Sequence, residues 1–307
     1  MSVALAIPCR TDEPALGRTL DAAWRRLAEA GEAAAPTLVC LNGADAAGSR
    51  AWRDVEQVAA AASRRARLVD VDASPDVATN GDDVTVLATR RVGKAIAWNV
   101  LRTHARAEVV VFLDADVELG PDAIGLLLRA LAATPEAVLA SPKTGCAARP
   151  TAFERIMAVP YEIDFPNLSG QLYAARRAGL PATMPEDLIE PERWLELVVG
   201  RARVVRDPSA RVVVRLPGTL ADFYRQRIRI EMGKVQLATA YPGLTARGNR
   251  QPRLRVALRG LGAADLVRLG MYLALRESAY AIAHWRYRRR RTDGVWVQAA
   301  STKQWTA

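Results

Sequence analysis

Over its first 140 residues the chain alternates short apolar runs with amphipathic stretches, and that alternation limits the possible folds more than any other feature. Val3–Ile7, Thr37–Leu41, Ala66–Val71, Val109–Leu113 and Ala137–Ala140 read as strands. Ala15–Ala30, Trp52–Ala62, Gly93–His104 and the stretch from Pro121 to Ala132 carry helical periodicity between them. Pro121 suits the first position of its helix. Strands separated by helices imply a doubly wound, mostly parallel sheet with helices on both faces. Ligands of such sheets bind beyond the carboxyl ends of the strands. Pro8, Arg10, Asp12, Asn42, Asp114 and Asp116 all fall at such ends.

The run VVVFL ends directly in Asp114-Ala115-Asp116. Carboxylates at the end of a buried strand are costly unless a positive group meets them. Spaced i and i+2 on extended backbone they would share a side and could reach one cation. A D-x-D pair also arises by chance, and Asp70-Val71-Asp72 is a second one.

Other chemistry is excluded by composition. Three cysteines without a C-x-x-C pair suggest reduced, buried thiols, and two histidines, His104 and His284, argue against a His-based metal cluster or a Ser-His-Asp triad. The opening MSVALAIPCRTDE reads as a first strand and not as a signal peptide, and no apolar run is long enough to cross a membrane. Charge is segregated. Residues 201–307 hold 22 Lys and Arg against 6 Asp and Glu, a net of +16, which leaves 21 against 27 in the first 200, a net of −6.

Beyond about residue 145 the pattern loosens. Gln171–Ala175, Ala202–Val205 and Val212–Arg215 look like short strands, and Glu186–Val199, Leu220–Tyr241 and Ala263–Tyr287 look helical. Four segments here and upstream each have a plain reading beside a functional one. Gly93-Lys94 at a helix start would suit a phosphate, or would be a helix start with a solvated lysine. Glu186 and Asp187 could supply a general base, or complement a helix dipole in its first turn. Arg225, Arg227, Arg229 and Lys234 beside Gln226 match diphosphate oxygens, or form a solvated basic helix. The arginine-rich tail could lie on anionic lipid, meet nucleic acid, or cover the protein's own core.

In order along the chain, the Pro8 loop, Asn42, Gly93-Lys94 with Asn99, FLDAD, Gly170, Glu186-Asp187 and Gln226-x-x-Arg229 resemble the family-2 glycosyltransferases of the GT-A fold, over roughly Val3 to Lys234. The motif order is most similar to the processive branch that makes cellulose, chitin or hyaluronan. The resemblance implies an α/β GT-A domain: a nucleotide-sugar half (1–145), an acceptor-binding and catalytic half (146–245), and a basic helical C-terminal extension (246–307). It implies that Pro8, Arg10, Asp12, Asn42 and Lys94 bind the nucleotide of a UDP-sugar. Asp114 and Asp116 would hold Mn²⁺ or Mg²⁺ against the diphosphate, Asp187 with Glu186 would be catalytic, and Gln226 and Arg229 would contact the diphosphate or acceptor. The chemistry implied is an inverting transfer to an acceptor whose identity is open.

The sequence departs from the family pattern at Thr11, Asn42 and Ile230. An Asn can still accept from uracil N3–H and donate to O4. Without the aromatic that usually stands at Ile230, and without transmembrane helices for a polymer channel, a single transfer is favoured over a processive one. A cytoplasmic protein, peripheral to the inner membrane face through its basic helices, fits these features, and nucleic acid does not enter. Two rivals were weighed: a sugar-phosphate nucleotidylyltransferase, which would want a Gly-rich first loop that PCRTDEPALG lacks, and a non-catalytic basic protein on membrane or RNA, which leaves the aspartates unexplained.

Overall fold

The computed structural model describes residues 1–43, 45–76, 83–147, 151–162, 168–248 and 261–289. Nine strands form one sheet in the order β3-β4-β2-β1-β5-β8-β7-β9-β6. They are β1 Val3–Arg10, β2 Thr37–Asn42, β3 Ala66–Asp70, β4 Val84–Thr89, β5 Val109–Leu113, β6 Glu118–Leu119, β7 Leu139–Cys146, β8 Leu172–Arg176 and β9 Val204–Val214. The five strands β3, β4, β2, β1 and β5 are mutually parallel, and β8 runs antiparallel between β5 and β7. From β1 the chain passes to β2, then to β3 at the edge, then back to β4 between them, and crosses to place β5 on the other side of β1. The β1–β5 boundary is therefore a topological switch point, where a crevice opens beyond the strand ends.

Alternation along β5 builds both halves of the core. Val109, Val111 and Leu113 face helices α1 (Leu16–Glu29), α2 (Arg50–Ala61) and α4 (Ala123–Ala133) through Leu16, Leu20, Leu27, Val55, Ile124 and Leu127. Val110 and Phe112 face the opposite layer, which contains α3 (Lys94–His104) and α6 (Pro191–Val199). There Trp98, Phe112 and Tyr173 stack at 5.7 and 5.0 Å, and the Trp98 indole N–H donates to the Tyr173 hydroxyl at 2.9 Å. Period two fixes which way the next side chains point, because a slip of one residue would exchange the faces.

A further layer holds α5 (Ala152–Glu162), α7 (Leu220–Ala240) and, after α8 (Pro242–Gly248), the long helix α9 (Ala263–Arg288). Phe223, Ile228 and Met232 of α7 pack on Tyr272, Leu275, Ala279 and Ala283 of α9.

Four expectations change. Residues 84–89, which the sequence pattern left unassigned, form β4, buried on every residue and hydrogen-bonded between β2 and β3. The two short strands expected at 202–205 and 212–215 are one strand, β9, whose register against β7 jumps from Pro142↔Asp207 to Lys143↔Arg211. The Asp207-Pro208-Ser209 stretch that reads as a turn is this bulge. Pro121 lies in a turn before α4, whose N-cap is Asp122 at φ 50°. Helix α6 begins at Pro191 and not at Glu186: Pro191 fits the first helical position and holds Glu190 outside the helical region at φ −123°, ψ 75°.

Candidate active site

Lys94 lies at the N-terminus of α3, directly after Gly93, whose φ of +157° turns the chain into the helix. Its ammonium meets Asp114 Oδ1 at 2.7 Å and Glu192 Oε1 at 2.6 Å, and donates to the carbonyl of Gly170 at 3.0 Å. All three side chains are less than a fifth exposed. Burial works to lower the lysine's pKa, but Asp114 and Glu192 together hold it above its ordinary value. The Asp114 carboxyl is raised, by burial first and then by the neighbouring Glu192 and Asp116, against the pull of Lys94. Gly170 packs closely here: a Cβ would lie 3.3 Å from the Glu192 carboxyl carbon, so that side chain would have to shift by a few tenths of an ångström. Pro8 of β1 and the Trp98–Phe112–Tyr173 stack complete a small pocket around these groups, at the switch point the topology defines.

Asp114 continues the alternation of β5 and reaches the α3 side, while its backbone N–H donates to Gln171 at 2.8 Å. Asp116 does not continue the strand, because residues 115–116 form a turn; it is half-buried just beyond Asp114. Asp114 is thus tied to Lys94, and Asp116 lies past the strand end, close enough to raise the Asp114 carboxyl. No group of three or more His, Cys, Asp and Glu side chains forms a metal cage among the described residues.

The other D-x-D is a local turn. Asp70 Oδ1 accepts from the backbone of Asp72 and Ala73, and Asp72 accepts from Thr89 Oγ1 and from the Arg90 backbone, both at 2.8 Å. Those bonds hold the Asp72 carboxyl below its ordinary range and latch the end of β4.

At the neighbouring strand ends Arg10, paired in register with Asn42, makes a two-point contact to Asp12 with both distances at 2.8 Å. Asn42 is buried, donates to the Cys9 carbonyl at 3.1 Å, and leaves its Oδ1 without a hydrogen-bond partner.

The segment from Met184 to Glu190 forms the opposite wall and is gripped from two helices. Asn99 of α3 holds Met184 by both amide atoms, at 2.9 and 2.8 Å. From α7, Gln236 donates to the Asp187 carbonyl at 2.8 Å and accepts from the Ile189 N–H at 3.0 Å. Arg229 reaches Glu190 at 3.7 Å, and Glu186 pairs with Arg91. Gln226, Arg229, Gly233 and Gln236 recur every three or four residues along α7, so they share one stripe. Gly233 admits the wall: a Cβ there would fall 2.3 Å from Glu190 Cγ.

Glu186 and Asp187 are exposed on the rim, whereas Glu190 and Glu192 point into the cleft. Burial raises the Glu190 carboxyl above its ordinary range, with Arg229 opposing. The sequence reading passed over Glu190, Glu192, Gly233 and Gln236. The 3-4-3 spacing from Gln226 was the available signal for the last two.

Residues 70–173, which span β3 to β8, match the family model described as glycosyl transferase family 2. The sheet is of the GT-A kind, and residues 70–173, about a third of the chain, are similar to the family-2 glycosyltransferases. Among solved structures, a mannosyltransferase from Pyrobaculum calidifontis, in complex with GDP-mannose and Mn²⁺, superposes with TM-score 0.55 at 22% identity, over 94% of this chain and 79% of that one. Glucosyl-3-phosphoglycerate synthase from Mycobacterium tuberculosis, in complex with Mn²⁺, UDP-glucose and phosphoglyceric acid, gives TM-score 0.49 at 17% identity, over 78% and 79%. No curated protein sequence matches the chain.

Proposed function

We propose that the protein is an inverting, metal-dependent glycosyltransferase that moves one sugar from a nucleotide-sugar, taken here as a UDP-sugar, to an acceptor hydroxyl. The observation that carries the reading is the position of the Lys94–Asp114–Glu192 cluster, with Asp116 beside it, at the β1–β5 switch point of a GT-A sheet. On this reading Pro8, Arg10, Asp12 and Asn42, at the neighbouring strand ends, would line the nucleoside. Asn42 Oδ1 is buried and unpartnered, an acceptor that a base N–H would satisfy only if the site opens to it.

The donor set fits Mn²⁺ or Mg²⁺. These hard cations take few protein carboxylates and complete their shells with diphosphate oxygens and water. Asp116, next to Asp114, would hold such an ion, while Asp114 is engaged by Lys94. A bound cation would neutralise charge on the departing diphosphate. The mannosyltransferase of similar fold binds GDP-mannose and Mn²⁺, which supports a nucleotide-sugar and a metal without fixing the base.

Transfer needs an acceptor hydroxyl to attack the anomeric carbon on the face opposite the diphosphate. Its proton passes to a carboxylate as the bond to the diphosphate breaks, leaving an inverted glycoside and a nucleoside diphosphate. Asp187 on the rim is where an acceptor would arrive, and Gln236 fixes its backbone there. Arg229 and Gln226, on the same stripe, would contact the diphosphate or the acceptor.

Nucleoside diphosphate release from UDP-glucose, UDP-N-acetylglucosamine and GDP-mannose with Mn²⁺ tests this reading. Asp116→Ala is expected to abolish both release and metal-coupled nucleotide binding. Asp187→Asn is expected to reduce release by about 10²-fold or more with binding unchanged. Glu190 is the second reading for the proton acceptor, favoured by its burial, and Glu190→Gln separates the two. Full loss there with Asp187→Asn active would move the role to Glu190, and equal loss of binding in the Asp116 and Asp187 variants would overturn the division of roles.

A further inference from the structure

Helix α9 spends one face on the protein and leaves the other bare. Tyr272, Leu275, Ala279 and Ala283 pack on α7 and its neighbours. Leu266, Val267, Met271, Leu273, Tyr280, Ile282 and Trp285 are exposed, Val267 by 65% and Met271 by 50%. Of the eleven large hydrophobic side chains exposed among the described residues, these seven lie on this one helix, so the pattern belongs to α9 and not to the surface in general. Gly270, Ala274 and Ala281 are exposed between them, and the exposed Glu277 and Ser278 interrupt the strip at mid-helix.

Charge is arranged along the same helix. Its acids are locally neutralised: Asp265 pairs with Arg268 at 2.7 Å and Glu277 with Arg276 at 2.5 Å. At its C-terminal end Arg286, Arg288 and Arg289 are exposed, Arg289 lying 4.6 Å over the Trp285 ring, and the sequence continues with Arg290 and Arg291 outside the described residues. Among the described residues no helix is long and apolar enough to cross a membrane. The combination is an apolar strip with an indole and a cluster of arginines at one end. A helix of this composition lies in the plane of a bilayer interface, apolar side chains toward the acyl boundary and guanidinium groups on headgroup phosphates.

We infer that the exposed face of α9 is a docking surface for an anionic lipid bilayer. Charge complementarity selects that occupant: a surface rich in phosphate matches the arginine end, and an apolar boundary matches the strip. The inference is independent of the transfer chemistry, because none of these residues lines the cleft.

Co-sedimentation of the full chain with vesicles tests it, using phosphatidylcholine alone and phosphatidylcholine mixed with phosphatidylglycerol, at low and high salt. Binding is expected to the anionic vesicles only, and to weaken with salt. The double variant Val267→Glu with Leu273→Glu, and the triple variant Arg286→Ala, Arg288→Ala, Arg289→Ala, are each expected to bind about tenfold more weakly or worse. All these positions are exposed, and unchanged thermal unfolding of both variants verifies the fold. No binding to anionic vesicles, equal binding to neutral ones, or variants that bind like the parent would each overturn the inference. So would sedimentation equilibrium showing a dimer that the Val267/Leu273 variant abolishes, since the face would then meet a second copy.

Discussion

Three oxygens converge on the Lys94 ammonium, and two belong to carboxylates that would otherwise be buried without a counter-charge. Lys94→Met leaves Asp114 and Glu192 facing each other in the cleft wall. Removing one partner of a buried pair costs about 3–5 kcal/mol. The stranded Asp114 carboxyl can lower that cost by binding a proton, so its folded pKa rises further above the unfolded one. For acids shifted upward, the stability of the neutral form is fully present below the unfolded pKa and is lost as pH rises through the folded one. Urea unfolding is therefore expected to show a small deficit at about pH 4 and a large one at about pH 8. A deficit independent of pH would mean that the lysine acts by packing alone. This cluster was half-legible. Asp114 announced itself as an acid ending a buried strand, and Lys94 as a cation at a helix start. Glu192 did not, because its role depends on the start of α6 lying against Gly170, just before the amino end of β8, which no local pattern states.

Helix α7 turns one stripe of side chains into a support for the catalytic wall. Gly to Ala inside an ordinary helix stabilises by about 1 kcal/mol. At Gly233 the new methyl would stand 2.3 Å from Glu190 Cγ, so the sign reverses. Gly233→Ala is expected to lose about 1–3 kcal/mol, read as a lower urea midpoint, and to depress nucleotide release by displacing the segment from Asp187 to Glu190. Gln236→Ala, which removes the two-point hold on Asp187 and Ile189, is expected to lower kcat more than it alters nucleotide affinity; a change confined to affinity would place Gln236 in the donor site instead. At this scale the strands and long helices were legible from periodicity. The wall was not: Glu186 and Asp187 read as a helix's first turn, yet Pro191 starts the helix and forces the residue before it out of the helical region. Strand β4 was hidden for a related reason, lying straight after an acidic, Gly-containing stretch that reads as a long connection.

For the whole molecule, the parallel half-sheet sets the crevice, and the antiparallel strands β8 and β7 extend it under the acceptor side. The fold class followed from strand–helix alternation alone, since right-handed crossovers leave few ways to wind such a chain. The segregation of charge, net −6 before residue 201 and +16 after it, was equally plain in the sequence. What the sequence did not state is that the basic end comes with an apolar face; that required knowing which side of α9 the protein covers. Thermal unfolding with UDP, GDP, CDP and dTDP, each with Mn²⁺, Mg²⁺ or EDTA, tests the central claim that this crevice is a metal-coupled nucleotide-sugar site. A ligand held at about a hundred times its Kd stabilises by about 2.7 kcal/mol, a rise of a few degrees in Tm. The account predicts that rise for one nucleotide, UDP, only with metal, absent in Asp116→Ala and kept in Asp187→Asn. A rise that survives EDTA or the Asp116 substitution, or no rise with any nucleotide in folded protein, would contradict it.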